Sequence, residues 1–238
     1  MVDLAAFDAL TFDCYGTLID WEAGILAALA PTREEHGVEL GDEAVLAAFG
    51  RAESACEEAS PAASYPEILA SVFDRLSDEW DVPRDAEAAA AFAASVGDWP
   101  AFADSRDALR YLAEHYTLGI LSNVDKASFA RSQERLGVAF DEVMTAEEIG
   151  SYKPDPRNFE FALERLASRG IERSRVLHVA QSLFHDHVPA KQLGLTTVWV
   201  DRRAGKSGSG ATRVPEVDVQ PDLVVESLAE LVRLHRGG

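Results

Sequence analysis

The chain has only two cysteines, Cys14 and Cys56, in 238 residues. Two thiols are too few for a disulfide framework and carry no metal-site spacing, so both read as small packing residues. Lysine is nearly as scarce: Lys126, Lys153, Lys191 and Lys206 are the only ones, the other basic residues being arginine. With 41 acids against 22 bases the formal net charge is −19. That balance withholds the basic face that nucleic acid and anionic membranes both require, and it makes any bound small anion depend on a few local cations. The acid-rich, lysine-poor composition fits a saline cytoplasm and a GC-rich genome equally well. No apolar run is long enough to cross a bilayer, and the N-terminal MVDLAAFDAL holds acids where a signal peptide needs bases. The expectation is a cytoplasmic protein with no nucleic acid and no membrane as partner. Hydrophobic residues, at 47% against 26% charged, suffice for a packed core, and the length suits one domain with an insertion or two modest domains.

What is present starts with ALTFDCYGTLID at residues 9–20. Ala9, Leu10, Thr11 and Phe12 form a short apolar, β-favouring run, as in a strand buried on both faces of a parallel sheet. Asp13 leaves the end of that strand for a turn broken by Gly16, and Thr17 offers a hydroxyl to the carboxylate's second oxygen. A carboxylate at the C-terminal edge of such a sheet faces the crevice where open α/β folds bind ligands. Asp13 is therefore a candidate nucleophile, although an Asp after a strand more often just opens a turn.

After Asp20 the apolar spacing becomes helical, through WEAGILAALAPTREEHG, GDEAVLAAFGRAESACEEAS, YPEILASVFDRLSDEW and RDAEAAAAFAASVGDW. From Asp104 helices and strands alternate: SRDALRYLAEHY to TLGILSN, KASFARSQERLG to FDEVMTA, PRNFEFALERLASRG to RVLHVAQS, DHVPAKQLGL to TTVWVDR, with DLVVESLAELVRLHR closing the chain. This predicts an α/β fold, a doubly wound parallel sheet over residues 1–19 and 103–238, with an inserted all-helical domain over 20–102. The segment RAGKSGSGATRVPEVDVQP reads as a mobile loop near the crevice rim. Ser122 and Asn123 end one strand, Gln181 and Ser182 another, and Lys153 in SYKPDPRNF follows a third. Singly these are ordinary loop and surface residues; together with Asp13 they converge on one sheet edge.

The chain resembles the haloacid dehalogenase-like hydrolase superfamily over nearly its whole length. FDCYGTL matches the nucleophile motif, ILSN the second, YKPDP the lysine motif and HVAQSLFHDHVPAKQLGL the acidic fourth, while the helical insertion matches the cap on a Rossmann-like core. Most members are phosphohydrolases, with a second Asp two residues after the nucleophile as general acid and a Mg²⁺ held by motif-four carboxylates. This chain has Tyr15 and Gln181 at those places, leaving Asp13 and Asp186 as a thin magnesium site. The DxYGTL form is instead similar to the 2-haloacid dehalogenase branch, which needs no metal and no acid because halide leaves readily.

That resemblance implies that Asp13 attacks the α-carbon of a small anionic 2-haloalkanoate and that water then hydrolyses the ester. Thr17 holds Asp13; Lys153 keeps it ionised and helps hold the substrate carboxylate; Ser122 and Asn123 bind that carboxylate; Tyr15 walls the pocket; Arg51, on a cap helix, receives the halide. The family positions its water with a Ser, an Asn and an Asp, where this chain has Gln181, Leu183 and Asp186, and Phe159 stands where the family has a tyrosine. Gln181, Asp186 or His185 remain to place the water, although His185 and His187 read more readily as solvated polar residues. The resemblance alone implies a homodimer. The expected cofactor set is none, with Mg²⁺ needed only under the alternative of a phosphatase with a depleted acid set. A third alternative is a non-catalytic binding protein of the same fold.

Overall fold

The computed structural model describes residues 2–237. Among them, β1 (Ala9–Phe12), β2 (Thr117–Ser122), β3 (Glu142–Thr145), β4 (Val176–Ala180), β5 (Thr196–Val200) and β6 (Leu223–Val225) form one parallel sheet in the order 3-2-1-4-5-6. β1 is buried along its whole length, as an unbroken apolar run requires of a central strand covered on both faces. The chain steps outward from β1 to β3 and returns to β4 on the other side of β1. The crevice at the strands' carboxyl ends therefore opens where Asp13 emerges.

Four helices, α1 (Trp21–Glu35), α2 (Asp42–Ala59), α3 (Tyr65–Glu79) and α4 (Ala86–Ala94), lie between the two crossings that join the inserted segment to the sheet domain. The remaining helices are α5 (Ser105–Leu112), α6 (Lys126–Leu136), α7 (Ala146–Ile149), α8 (Pro156–Ser168), α9 (Val188–Gln192) and α10 (Leu228–Gly237). Part of the acid excess is spent on their ends: Asp20, Asp85, Asp125 and Asp155 each accept backbone N–H groups at a helix start, where orphan donors need a partner. The closing segment divides into β6 and α10, so the sheet gains a sixth strand that its apolar pattern alone did not separate from a helix.

In the cap, Trp21, Phe49, Phe92 and Phe73 pack in a chain, with successive ring centroids 6.0–6.2 Å apart. This aromatic core is continuous with the buried residues of the sheet through Leu18, Ile19 and Trp99. The two chain crossings between cap and core run side by side: the Asp20 amide donates to the Pro100 carbonyl at 2.7 Å and the Phe102 amide to the Leu18 carbonyl at 3.1 Å.

Two arginines after β5 brace this junction. Arg202 donates to the Thr17 carbonyl from Nε (3.1 Å) and Nη2 (2.9 Å), forks onto Asp104 (2.9 and 3.0 Å), and lies 4.1 Å over the Phe102 ring. Arg203 reaches the cap, pairing with Glu22 of α1 and Glu43 of α2, while the Gly210 and Ala211 amides donate to the same carboxylates. The loop expected to be mobile is thus tied to the cap over residues 203–213, because its arginines meet cap acids that its Gly/Ser composition does not announce. Removing Arg202 takes the guanidinium from the half-buried Asp104 carboxylate, which keeps the Ala229 amide, and leaves the Thr17 carbonyl unsatisfied. Arg202→Ala is expected to cost about 2 kcal/mol of unfolding free energy in urea titrations; a change within about 0.5 kcal/mol contradicts the bracing role.

Candidate active site

Asp13 stands one residue beyond β1, its amide still donating to the Val179 carbonyl at 3.1 Å. The turn that follows requires φ = +93° at Gly16, where a Cβ would sit 3.1 Å from Trp21 Nε1. The Gln181 amide donates to Thr17 Oγ1 (2.9 Å), so the Thr17 hydroxyl sends its own proton to Asp13 Oδ2 (2.8 Å). Lys153, 2% exposed, donates from Nζ to Asp13 Oδ1 (2.9 Å), Asp186 Oδ1 (2.7 Å) and the Leu121 carbonyl (2.9 Å). An ammonium has three protons, and all three are committed. The expected contact from Lys153 to a substrate carboxylate is therefore not available in this arrangement.

Burial disfavours the Lys153 charge, yet the two carboxylates outweigh it and raise the ammonium above its ordinary value. Burial also pushes Asp13 up, with Asp186 adding to the push and Lys153 and Thr17 opposing it. Asp186 goes the other way: against burial, Lys153 and His178 hold it well below the usual carboxylate range. Its Oδ1 takes both Lys153 and His178 Nε2 (3.0 Å), while its Oδ2 is buried without a partner.

His178 was not singled out in the sequence, since a lone histidine inside an apolar strand reads as core. It is fully buried on β4, its Nδ1 meeting Thr11 Oγ1 of β1 at 2.9 Å. Because Asp186 is ionised, Nε2 must carry the proton between them, and Nδ1 accepts from Thr11. The Phe159 ring packs edge-on against His178 at 5.1 Å, so the imidazole restrains the carboxylate where Phe159 has no hydroxyl to do so. Asn123 accepts from the Lys153 amide at Oδ1 (2.6 Å) and donates to the Lys153 carbonyl (3.0 Å), which makes it a positioner of Lys153. Ser122 Oγ is buried and unpartnered.

Asp13, Ser122, Asn123, Lys153 and Asp186 line a cavity of about 50 Å³ to which Tyr15, Gln181, His185 and Thr212 also contribute. The Tyr15 hydroxyl bonds Ser132 Oγ (2.8 Å), and burial raises it well above its ordinary value, so it stays protonated. Gln181 Oε1 accepts from Thr212 (3.1 Å). The histidines depart from the solvated reading: His187 is buried on the Ala180 carbonyl (3.0 Å), and His185 lines the cavity, brought down to about 4 chiefly by burial. Both are neutral near pH 7.

Arg51 does not join them. Its guanidinium lies on the outer face of the cap, 63% exposed and paired with Glu79 at 2.8 Å. α2 turns Phe49, Ala52, Glu53 and Cys56 inward, and a residue two positions before Glu53 points roughly 200° away round the helix. The cap side chains that do line the cavity are Trp21, Glu53, Glu57 and Tyr65. Tyr65 Oη donates to Glu53 Oε1 at 2.7 Å, and burial pushes Glu53 up to about 7. Burial, then Glu53 itself, pushes Glu57 well above its ordinary value.

The donor set does not suit Mg²⁺, which wants about six oxygens in octahedral array. Asp13 and Asp186 share the Lys153 ammonium, Tyr15 and Gln181 replace the acids that would add ligands, and no cluster of three or more metal-ligating side chains occurs among the described residues.

A doubly wound sheet with a helical cap, a strand-end aspartate and a lysine bridging it to a second aspartate define a capped α/β fold with a buried carboxylate at the mouth of its crevice. A family model described as haloacid dehalogenase-like hydrolase matches residues 7–186, and the chain belongs to that family. It is 30% identical over 133 residues to an (S)-2-haloacid dehalogenase of Pseudomonas putida, covering 55% of this chain and 54% of that protein. It is 34% identical over 100 residues to a glyceraldehyde 3-phosphate phosphatase of Methanocaldococcus jannaschii, covering 41% and 40%. The chain thus spans about half the length of the curated relatives it matches. In fold it is similar to the L-2-haloacid dehalogenase of Xanthobacter autotrophicus with chloropropionic acid covalently bound, with a TM-score of 0.76 and 22% identity over 97% of this chain and 99% of that one. No helix among the described residues is long and apolar enough to cross a membrane.

Glu53 links this site to stability. Between its ordinary 4.5 and about 7 the folded chain binds the Glu53 proton more tightly than the unfolded chain does, so raising pH through that window destabilises the fold. Glu53→Gln removes the titration and leaves an acceptor for Tyr65. Its stability relative to wild type is expected to rise by roughly 2–3 kcal/mol between pH 4 and pH 8 in urea titrations; a difference independent of pH contradicts the assignment.

Proposed function

We propose that this chain is a metal-independent 2-haloacid dehalogenase, displacing halide from a small 2-haloalkanoate through an ester on Asp13. The charge inventory of the cavity carries this reading. Its one cation, Lys153, is already shared between two carboxylates, and the cap adds two carboxyl groups rather than arginines. A phosphoryl group with nearly two negative charges needs metal or arginine clamps that this cavity lacks, whereas a small monoanion needs only hydrogen-bond donors. The size agrees, since about 50 Å³ takes a few heavy atoms and no nucleotide. The relatives named for 2-haloacid dehalogenation support the same choice.

In the first step a carboxylate oxygen of Asp13 bonds to the α-carbon and the carbon–halogen bond breaks, its electron pair leaving with the halide. Ser122 Oγ, buried and unpartnered, is the donor for the substrate carboxylate. In the second step water attacks the Asp13 carbonyl carbon and releases the 2-hydroxy acid. Lys153 and Thr17 hydrogen-bond the two Asp13 oxygens and stabilise the charge that develops there. Asp186 Oδ2 is free to hold the water, and the neutral His185 ring is the cavity's proton acceptor.

Halide release from 2-chloropropionate and chloroacetate in chelator, run beside phosphate release from an aryl phosphate with Mg²⁺, tests this. Wild type is expected to release halide without metal, and Asp13→Asn none; magnesium-dependent phosphate release without dehalogenation contradicts the reading. His185→Gln is expected to give one stoichiometric halide burst and then turn over about 10²-fold more slowly. An adduct on Asp13 should be visible by mass spectrometry during that slow phase.

A further inference from the structure

The departing anion has no cation to meet it. Lys153 has spent its protons, and Arg51 stands on the outer face of the cap. From the cap side the cavity receives Trp21 from the start of α1, Glu53 and Glu57, one turn apart on α2, and Tyr65 from the first turn of α3. Glu53 is 6% exposed, and the Tyr65 hydroxyl proton occupies its Oε1. A proton on this carboxyl therefore sits on Oε2. An ionised Glu53 repels a substrate carboxylate and a halide alike, while a protonated one offers either a hydrogen bond. Ser122 Oγ, 2% exposed and unpartnered, lines the same space from the core, so a small anion finds a donor from each domain.

We propose that Glu53 is the leaving-group donor of this site: its carboxyl O–H, oriented by Tyr65, hydrogen-bonds the halogen as Asp13 attacks, most strongly where the departing halide is fluoride, the best hydrogen-bond acceptor of the halides. This rests on the halide-displacement reading above. The Asp13 oxygen bonds to carbon, the carbon–halogen pair leaves on the halide, and the Glu53 proton stays on its carboxyl, hydrogen-bonded to the departing anion.

The surroundings keep Glu53 protonated up to neutrality. On its own helix stand Glu57, raised by burial, and Glu58, which pairs at the surface with Arg213. Burial also raises Tyr65 and Tyr15 well above their ordinary values, and His185 across the cavity is neutral. Arg51, on the same helix, pairs with Glu79, Arg75 of α3 lies beside Cys56, and across the cavity stands the Asp13–Lys153–Asp186 cluster. Burial holds Glu53 near 7 against the Tyr65 hydrogen bond, which lowers it. The first step then needs Asp13 ionised and Glu53 protonated, and its pH profile is a bell.

Single-turnover halide release from fluoroacetate and bromoacetate, followed from pH 5 to pH 9, tests the assignment, because fluoride is the more basic leaving group. Wild-type fluoride release should fall above about pH 7. Glu53→Gln should lose about 10²-fold of fluoride release and the alkaline fall with it, while bromide release drops less than about tenfold. Tyr65→Phe, which keeps the acid but removes the bond that lowers it, should move the alkaline limb to higher pH. Equal losses for both halides, an unchanged alkaline limb in Glu53→Gln, or a limb that stays or falls in Tyr65→Phe overturns the donor role alone. No halide from wild type with either substrate overturns the halide-displacement reading and this inference together.

Discussion

A buried ammonium must place all its protons on acceptors, and Lys153 does so on Asp13, Asp186 and the Leu121 carbonyl. Almost every other feature of the site follows from that demand. Asn123 clasps the backbone of Lys153 so that its side chain enters the crevice from the right direction. His178, anchored by Thr11, steadies the Asp186 carboxylate that shares the charge. Thr17 turns its proton to the other oxygen of Asp13 because the Gln181 amide already occupies its lone pair. Taking Lys153 away would leave two buried carboxylates facing each other, a loss on the order of 3–5 kcal/mol as well as a loss of the ionised nucleophile.

The same demand governs the cap. With Lys153, the cation of the cavity lining, already shared, the cavity tolerates additional negative charge poorly, and burial makes the cap carboxyls hold their protons. Burial thereby converts acids into donors, a device available to a chain with a net charge of −19 and few lysines. The loop after β5 fixes where the cap sits, since Arg203 ties α1 and α2 to the core and Thr212 reaches Gln181 at the cavity wall.

Much of this was legible in the sequence. Asp13, Thr17, Lys153 and Asp186 are all near strand ends, and strand ends can be counted from apolar runs and the residues that break them. Arg51 was misplaced because a motif correspondence ignores helix phase: Phe49, Glu53 and Glu57 share one stripe, and Arg51 falls outside it. That spacing was available and marks Glu53 as an acid on an apolar face. His178 left no signal, because the Thr11 hydroxyl that anchors it comes from another strand 167 residues away and the Asp186 contact depends on how the chain turns after β4. The tethered loop was equally hidden, since composition reports turn-forming residues and not which acids their arginines will meet. The helical cap and the parallel sheet were readable because periodicity is local; the sixth strand was not, lying in three residues beside a helix.

The central claim is that Asp13 carries the substrate as an ester and that water attacks its carbonyl. A single turnover in oxygen-18 water, with excess enzyme over 2-haloalkanoate, separates this from direct attack of water on the substrate. The account predicts one labelled oxygen in the peptide containing Asp13, read by mass spectrometry, and an unlabelled 2-hydroxy acid. Label in the product with none on Asp13 would contradict it.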